Sequence, residues 1–223
     1  MKWNFKRDIF ALISLVLFII ISIYFYTVLP KTVPVHFNSD GFPDNYSSKT
    51  NLIFIGISIA ISLYILLTFI PMIDPFKKKI EPKYHSILIF RDIAMAFILI
   101  IFVFTYLSAK EGSARTELLG IIIGVLFILL GNYLPRLPRN FFFGIRSPWT
   151  LASEIVWVRT HRISGIWFVI AGILLIILNL LKVKLHISLL VVLTPTVLYC
   201  AILYPYFLYR KLEKQGKLDK NML

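Results

Sequence analysis

The chain has 223 residues, 58% of them hydrophobic and only 16% charged, with a mean hydropathy of +0.81. Soluble domains carry about a quarter charged residues, so this composition excludes an ordinary water-soluble fold. The formal net charge of +13 would suggest nucleic acid in a soluble protein. Here its placement along the chain matters more, and no direct nucleic-acid partner is expected.

The apolar residues fall in six long blocks, at about residues 9–29, 52–73, 87–107, 118–134, 163–181 and 185–209. In lipid only an internally hydrogen-bonded helix satisfies its backbone. The expected fold is therefore an all-α integral membrane protein, a six-transmembrane-helix bundle forming one polytopic domain. The first block is too long for a signal-peptide core and lacks a small-x-small cleavage site, so it reads as a retained anchor. The uncharged core of the third block is short. Arg91 and Asp92 precede it by one turn and are expected to reach the interface, which puts the helix start near Tyr84.

Eighteen of the 24 Lys and Arg residues lie at the N-terminus (Lys2, Lys6, Arg7), in the second and fourth loops, and in the tail from Arg210 to Lys220. The positive-inside rule places those segments, and both termini, in the cytoplasm. The lipid bilayer is then the first partner, and the charge reads as topology plus attraction to anionic lipid. The mid-span polar residues are mild ones, such as Ser14, Ser58, Ser62 and Thr194, with no ionisable group among them. That disfavours a proton-coupled carrier. Gly120, Gly124 and Gly131 share nearly one face of the fourth span, and close helix packing within the chain is their expected use, ahead of a dimer seam. Pro195 predicts a kink in the sixth span. Cys200, the single cysteine, lies in an apolar block, so no disulfide framework exists.

Two loops remain to carry a specific function. The first external loop, 30–51, has an extended entry set by Pro30 and Pro34 and a turn signal at Ser39-Asp40-Gly41. It is expected to form a short ordered lid over the outer helix ends. His36, Asp40 and Asp44 lack a second His or Cys in register, so no metal site is expected. The cytoplasmic loop, 135–162, is richer. Pro135 and Pro138 end the fourth span, and Phe141, Phe142 and Phe143 are expected at headgroup depth beside Arg136, Arg139 and Arg146. Gly144 permits a sharp turn. A helix can start at Ser147-Pro148 or Ser153-Glu154, with Leu151, Ile155 and Val158 on one face, which predicts an interfacial amphipathic helix leading into the fifth span. Glu154 and His161, seven residues apart, are the one pair suited to acid–base work. No nucleophile or metal set accompanies them, so no enzyme activity and no cofactor are expected.

The run Gly131-Asn132-Tyr133-x-Pro135, then Phe143-Gly144-Ile145-Arg146-Ser147-Pro148-Trp149-Thr150-Leu151, then Trp157 and His161-Arg162, resembles the signature of the SdpI family of bacterial membrane proteins. Ser147 stands where the family more usually has Thr. The external run Pro34-x-His36-Phe37-Asn38-x-x-Gly41-x-Pro43-Asp44, closing at Lys49, is similar to the N-terminal loop of many of these proteins. The resemblance implies a multi-pass protein of the bacterial cytoplasmic membrane that confers immunity to a secreted antimicrobial peptide toxin. It further implies a receptor role, in which a small transcriptional repressor is held at the membrane from inside. On that reading the external loop from Pro34 to Lys49 meets the peptide. The motif Asn132, Pro135, Arg136, Gly144, Arg146, Pro148, Trp149, Thr150, Glu154, Trp157, His161 and Arg162 docks the partner or couples the helices. A cell-envelope transporter or lipid-handling protein is the alternative, and a polar, water-filled bundle interior would favour it.

Overall fold

The computed structural model describes residues 3–218, so Lys2 and Lys220 of the charge pattern lie outside the described residues. The fold is mostly helical, and six helices are long and apolar enough to cross a membrane. Helix α1 spans Phe5–Val28 and starts where the Asn4 side chain accepts the Lys6 amide. A β-hairpin follows, β1 (Thr32–Phe37) pairing antiparallel with β2 (Pro43–Ser48). Ser48 then caps α2 (Lys49–Ile73). A one-turn helix, α3 (Lys77–Ile80), leads into α4 (Tyr84–Glu111), which stops at Gly112 with a left-handed φ of 73°. Helix α5 is Thr116–Tyr133. After an irregular loop come the short α6 (Pro148–Ala152) and the long α7 (Glu154–Leu180). Helix α8 (Leu185–Leu198) continues through a π turn at Tyr199–Leu203 into α9 (Tyr204–Lys214). The widened turn lies just ahead of Pro205, which has no amide hydrogen to donate to the preceding turn.

Helices α1, α2 and α4 pack as one triad and α5, α7 and α8 as another, and the triads meet along α4 and α5. Large apolar side chains such as Phe54, Ile73 and Leu190 remain exposed on the outside of the bundle, as a lipid-facing surface requires. The α5–α7 contact is the tightest in the fold, and glycine explains it. A Cβ on Gly172 would lie 2.4 Å from the Gly124 carbonyl oxygen, and Cβ atoms on Gly131 and Gly165 would each lie 2.7 Å from the other's carbonyl oxygen. The glycine face of α5 is thus used inside the chain. Gly172→Leu is expected to force the helices apart at a cost of about 2 kcal/mol or more. Equilibrium unfolding by SDS in mixed micelles measures this directly.

The interior of the first triad differs from the sequence expectation at Arg91. Arg91 does not reach for the interface: it is fully buried and turned inward. Its Nη1 donates to Asp8 of α1 and to Thr68 Oγ1 of α2 (3.3 Å), its Nη2 donates to Asp92 (2.8 Å) and to the Arg7 carbonyl (3.3 Å), and its Nε donates to Asp92 (3.0 Å). These five bonds match the five N–H donors of a guanidinium. The physical reason is Asp8, one turn into α1, which supplies a buried counter-charge that snorkelling would forgo.

Candidate functional site

The two candidate loops cap opposite ends of the bundle, and each is an ordered structure. At the hairpin end, Pro34 is buried beside Val33, which packs with Phe25, Leu29, Leu52 and Tyr106 at the hairpin root. Lys49 fixes that root: its Nζ donates to the Tyr26 and Leu29 carbonyls (2.8 and 2.9 Å) at the C-terminal end of α1, where the helix dipole favours a cation. His36 and Asp44 face each other across the strands at 2.5 Å. Asn38 organises the turn, its Oδ1 accepting the amides of Asp40 and Phe42 (3.0 Å each). Gly41, with φ +83°, forms the tip, and its carbonyl accepts the Ala114 amide (2.9 Å) from the α4–α5 loop. Asp40 pairs with Lys184 (2.8 Å), whose hydrogen bond and charge hold its carboxyl below the ordinary 3.8. Phe37 points into a cavity beneath the hairpin, and Pro43 opens β2. Among the described residues no group of three or more His, Cys, Asp or Glu is placed to hold a metal ion.

At the signature end the structure corrects the expected interfacial helix. Both predicted starts are used, Ser147 capping α6 and Ser153 capping α7. From Glu154, however, α7 runs unbroken to Leu180, so Trp157, His161 and Arg162 belong to the membrane-spanning helix itself. Val158 is exposed while Trp157 and His161 are buried, so the buried stripe is not the one formed by Leu151, Ile155 and Val158. The phenylalanines also separate. Phe143 is buried edge-to-face on Phe90, Phe142 is half-buried and Phe141 alone is exposed, and Arg139 is buried as well.

The loop folds around a few satisfied polar groups. The Trp157 indole N–H donates to the Leu137 carbonyl (2.9 Å), and its ring stacks on His161 with centroids 4.0 Å apart. His161 Nδ1 donates to the Trp157 carbonyl (2.9 Å), and Nε2 accepts the Ile145 amide (3.0 Å). Gly144, at φ +87°, passes so close that a Cβ there would lie 2.4 Å from His161 Nε2. Thr150 is buried and donates to the Ile145 carbonyl (2.8 Å). Asn140 ties the phenylalanine turn, accepting the amides of Phe142 and Phe143 and donating to the carbonyls of Pro138 and Phe143. Trp149 is half-buried against Tyr206 of α9. Asn132, Pro135, Arg136, Arg146, Pro148 and Arg162 are exposed, with Arg136 over the Tyr133 ring and Arg146 donating to the Phe141 carbonyl.

Glu154 and His161 are not brought together. Glu154 pairs with Lys79 (3.0 Å) and Arg139 (3.3 Å), whereas both His161 nitrogens are engaged by backbone. The residues that sequence reasoning missed are those that receive the loop. Asp74 Oδ2 accepts the Phe141 amide (2.7 Å) while its Oδ1 accepts the Phe76 amide (2.7 Å), and Arg139 lies over the Phe76 ring. With Lys79, they fasten the signature loop to the linker between α2 and α4. An aspartate heading a run of lysines was the available signal.

This is a multi-pass helical protein of the cell membrane with a folded cap on each end of its bundle. Its sequence relatives support the membrane assignment. Residues 136–208, from the signature loop into α9, match the SdpI/YfhL protein family, and residues 13–61, from α1 through the hairpin into α2, match a family described as a domain of unknown function (DUF1648). The chain is 27% identical over 210 residues, 93% of its own length and 98% of the relative's, to the "Immunity protein SdpI" of Bacillus subtilis (strain 168). It is thus a homologue of an immunity protein. No solved structure matches it significantly.

Proposed function

We propose that this chain is a membrane immunity protein that protects the cell from a secreted, membrane-active peptide toxin. The hairpin face lies outside, the signature face and both termini lie in the cytoplasm, and the signature face also holds a small transcriptional repressor at the membrane. The observation that carries the reading is that the two family-like loops are ordered caps at opposite ends of one bundle, in a chain aligned along nearly its whole length with an immunity protein. Such caps are surfaces on which macromolecules dock, one on each side of the bilayer. The charge asymmetry supports the orientation. The exposed Arg136, Phe141, Arg146 and Arg162 give the inner face cationic and aromatic anchors suited to a protein partner.

The bundle core is built of three apolar clusters, and the Arg91 group is closed among its own partners. That favours immunity over the alternative carrier reading, which requires a polar interior. Expression in a host sensitised to secreted membrane-active peptides, including that of a producer of the B. subtilis type, tests the proposal. Survival against at least one peptide is expected, with loss of survival when the hairpin tip residues 38–42 are replaced by a flexible linker. Equal killing with and without the chain across the panel overturns it.

A further inference from the structure

Beneath the hairpin lies a cavity of about 530 Å³. Its walls come from both triads: Ile101 and Phe104 from α4 of the first, Leu119 from α5 and Leu189 from α8 of the second, with Phe37 of the hairpin above. Its rim carries Asn38, Thr116 and His186. The roof is fastened unequally. Its root is held by two Lys49 hydrogen bonds and the buried Val33. Its tip is held by one backbone bond, from Ala114 of the α4–α5 loop to Gly41, and by the exposed pair of Asp40 with Lys184 at the start of α8. An exposed pair of this kind is weak and screened by salt. A firmly rooted hairpin with a lightly tied tip is a hinged lid.

We propose that this cavity takes an apolar side chain of a peptide lying along the hairpin face, and that its entry lifts the hairpin tip off Ala114 and Lys184. The inference rests on the reading that a peptide meets this face. Apolar walls beneath a rim of amide, hydroxyl and imidazole groups suit a side chain whose own backbone amides need partners. An acyl chain has no use for that rim. Lys184, the cation beside the rim, is already held by Asp40, so the site has little pull for a lipid phosphate. Because the walls belong to both triads, an occupant contacts both and favours whichever relative arrangement fits it better. The tip pair is present at neutral pH. Since the Asp40 carboxyl is held below its ordinary value, the pair is lost only as pH falls below that range.

Ser108 lines the cavity and is buried. It serves as the probe position: Ser108→Cys in a Cys200→Ser background, purified into lipid nanodiscs and labelled with a water-soluble maleimide. Opening the lid with Lys184→Ala, or with Gly41→Val, whose Cβ would lie 2.3 Å from the Ala114 carbonyl oxygen, is expected to speed labelling about fivefold. Unchanged rates in both variants overturn the lid. Acetyl-leucyl-phenylalanyl-leucinamide at millimolar concentration is expected to slow labelling, and decanoate at the same concentration is not. The slowing is expected to vanish when Leu119→Trp fills the cavity. No slowing by the tripeptide, or equal slowing by decanoate, overturns the site. Survival in the immunity assay is read separately, so failure of immunity and failure of this site give different results.

Discussion

Replacing Arg91 with leucine is expected to cost about 3–5 kcal/mol of stability, the largest effect of any single substitution in the bundle. The guanidinium is fully buried and the Asp8 side chain is 4% exposed. Removing the cation takes from Asp8 and Asp92 the guanidinium that donates to both, and strips Thr68 and the Arg7 carbonyl of a donor. Much of the loss is the penalty of stranded carboxylates and not the net worth of the pair. The double variant Asp8→Leu/Arg91→Leu should therefore recover about half of it. Arg91→Lys should fall between, because an ammonium has three donors where the site presents acceptors for five. SDS titration of the purified protein and its steady-state level in membranes measure the series. A single variant as stable as the double would show that the cluster is not closed in the way described.

Trp157→Ala is expected to be the second largest, at about 3 kcal/mol. Lipid is as apolar as the bundle core, so the loss is of packing and hydrogen bonding more than of the hydrophobic effect. The side chain fills the centre of the cluster formed by Ile80, Ile87, Leu137, Phe143 and Ile145, and it donates to the Leu137 carbonyl. With it gone, His161 loses its stacking partner and the turn around Gly144 loses its floor. Trp157→Phe keeps much of the volume and gives up the indole N–H, for about 1 kcal/mol. Trp149→Ala, half-buried against Tyr206, should cost less than either, although the two tryptophans stand in one motif. Limited proteolysis between residues 137 and 147 follows the undocking of the loop. Cleavage in Trp149→Ala as fast as in Trp157→Ala would contradict the assignment.

Much of the fold was legible because long apolar blocks admit one structure in lipid. Ser147 and Ser153 cap helices at the two expected starts, and the glycines of α5 meet Gly165 and Gly172 of α7 within the chain. The turn signal at Ser39-Asp40-Gly41 fell at the tip of a hairpin. The failures share one cause. Arg91, Arg139 and Phe143 were expected at the membrane interface, and Trp157 and His161 within an interfacial helix, yet each is buried. What took them inside were partners distant in sequence: Asp8 for Arg91, Glu154 and Phe76 for Arg139, Phe90 for Phe143, Leu137 for Trp157 and Ile145 for His161.

The sequence by itself determined the number of membrane-capable helices and that the small-residue face of α5 would meet another helix closely within the chain. Each of these follows from local apolarity and from side-chain size along one helix face. Only the tertiary structure decided that the helices form two triads, that the hairpin tip crosses from one triad to the other, and that the signature loop is fastened to the α2–α4 linker through Asp74, Lys79, Arg139 and Glu154. These are matters of pairing between polar groups tens of residues apart. A buried charge or amide takes whichever partner the fold brings to it, and nothing in the local sequence names that partner.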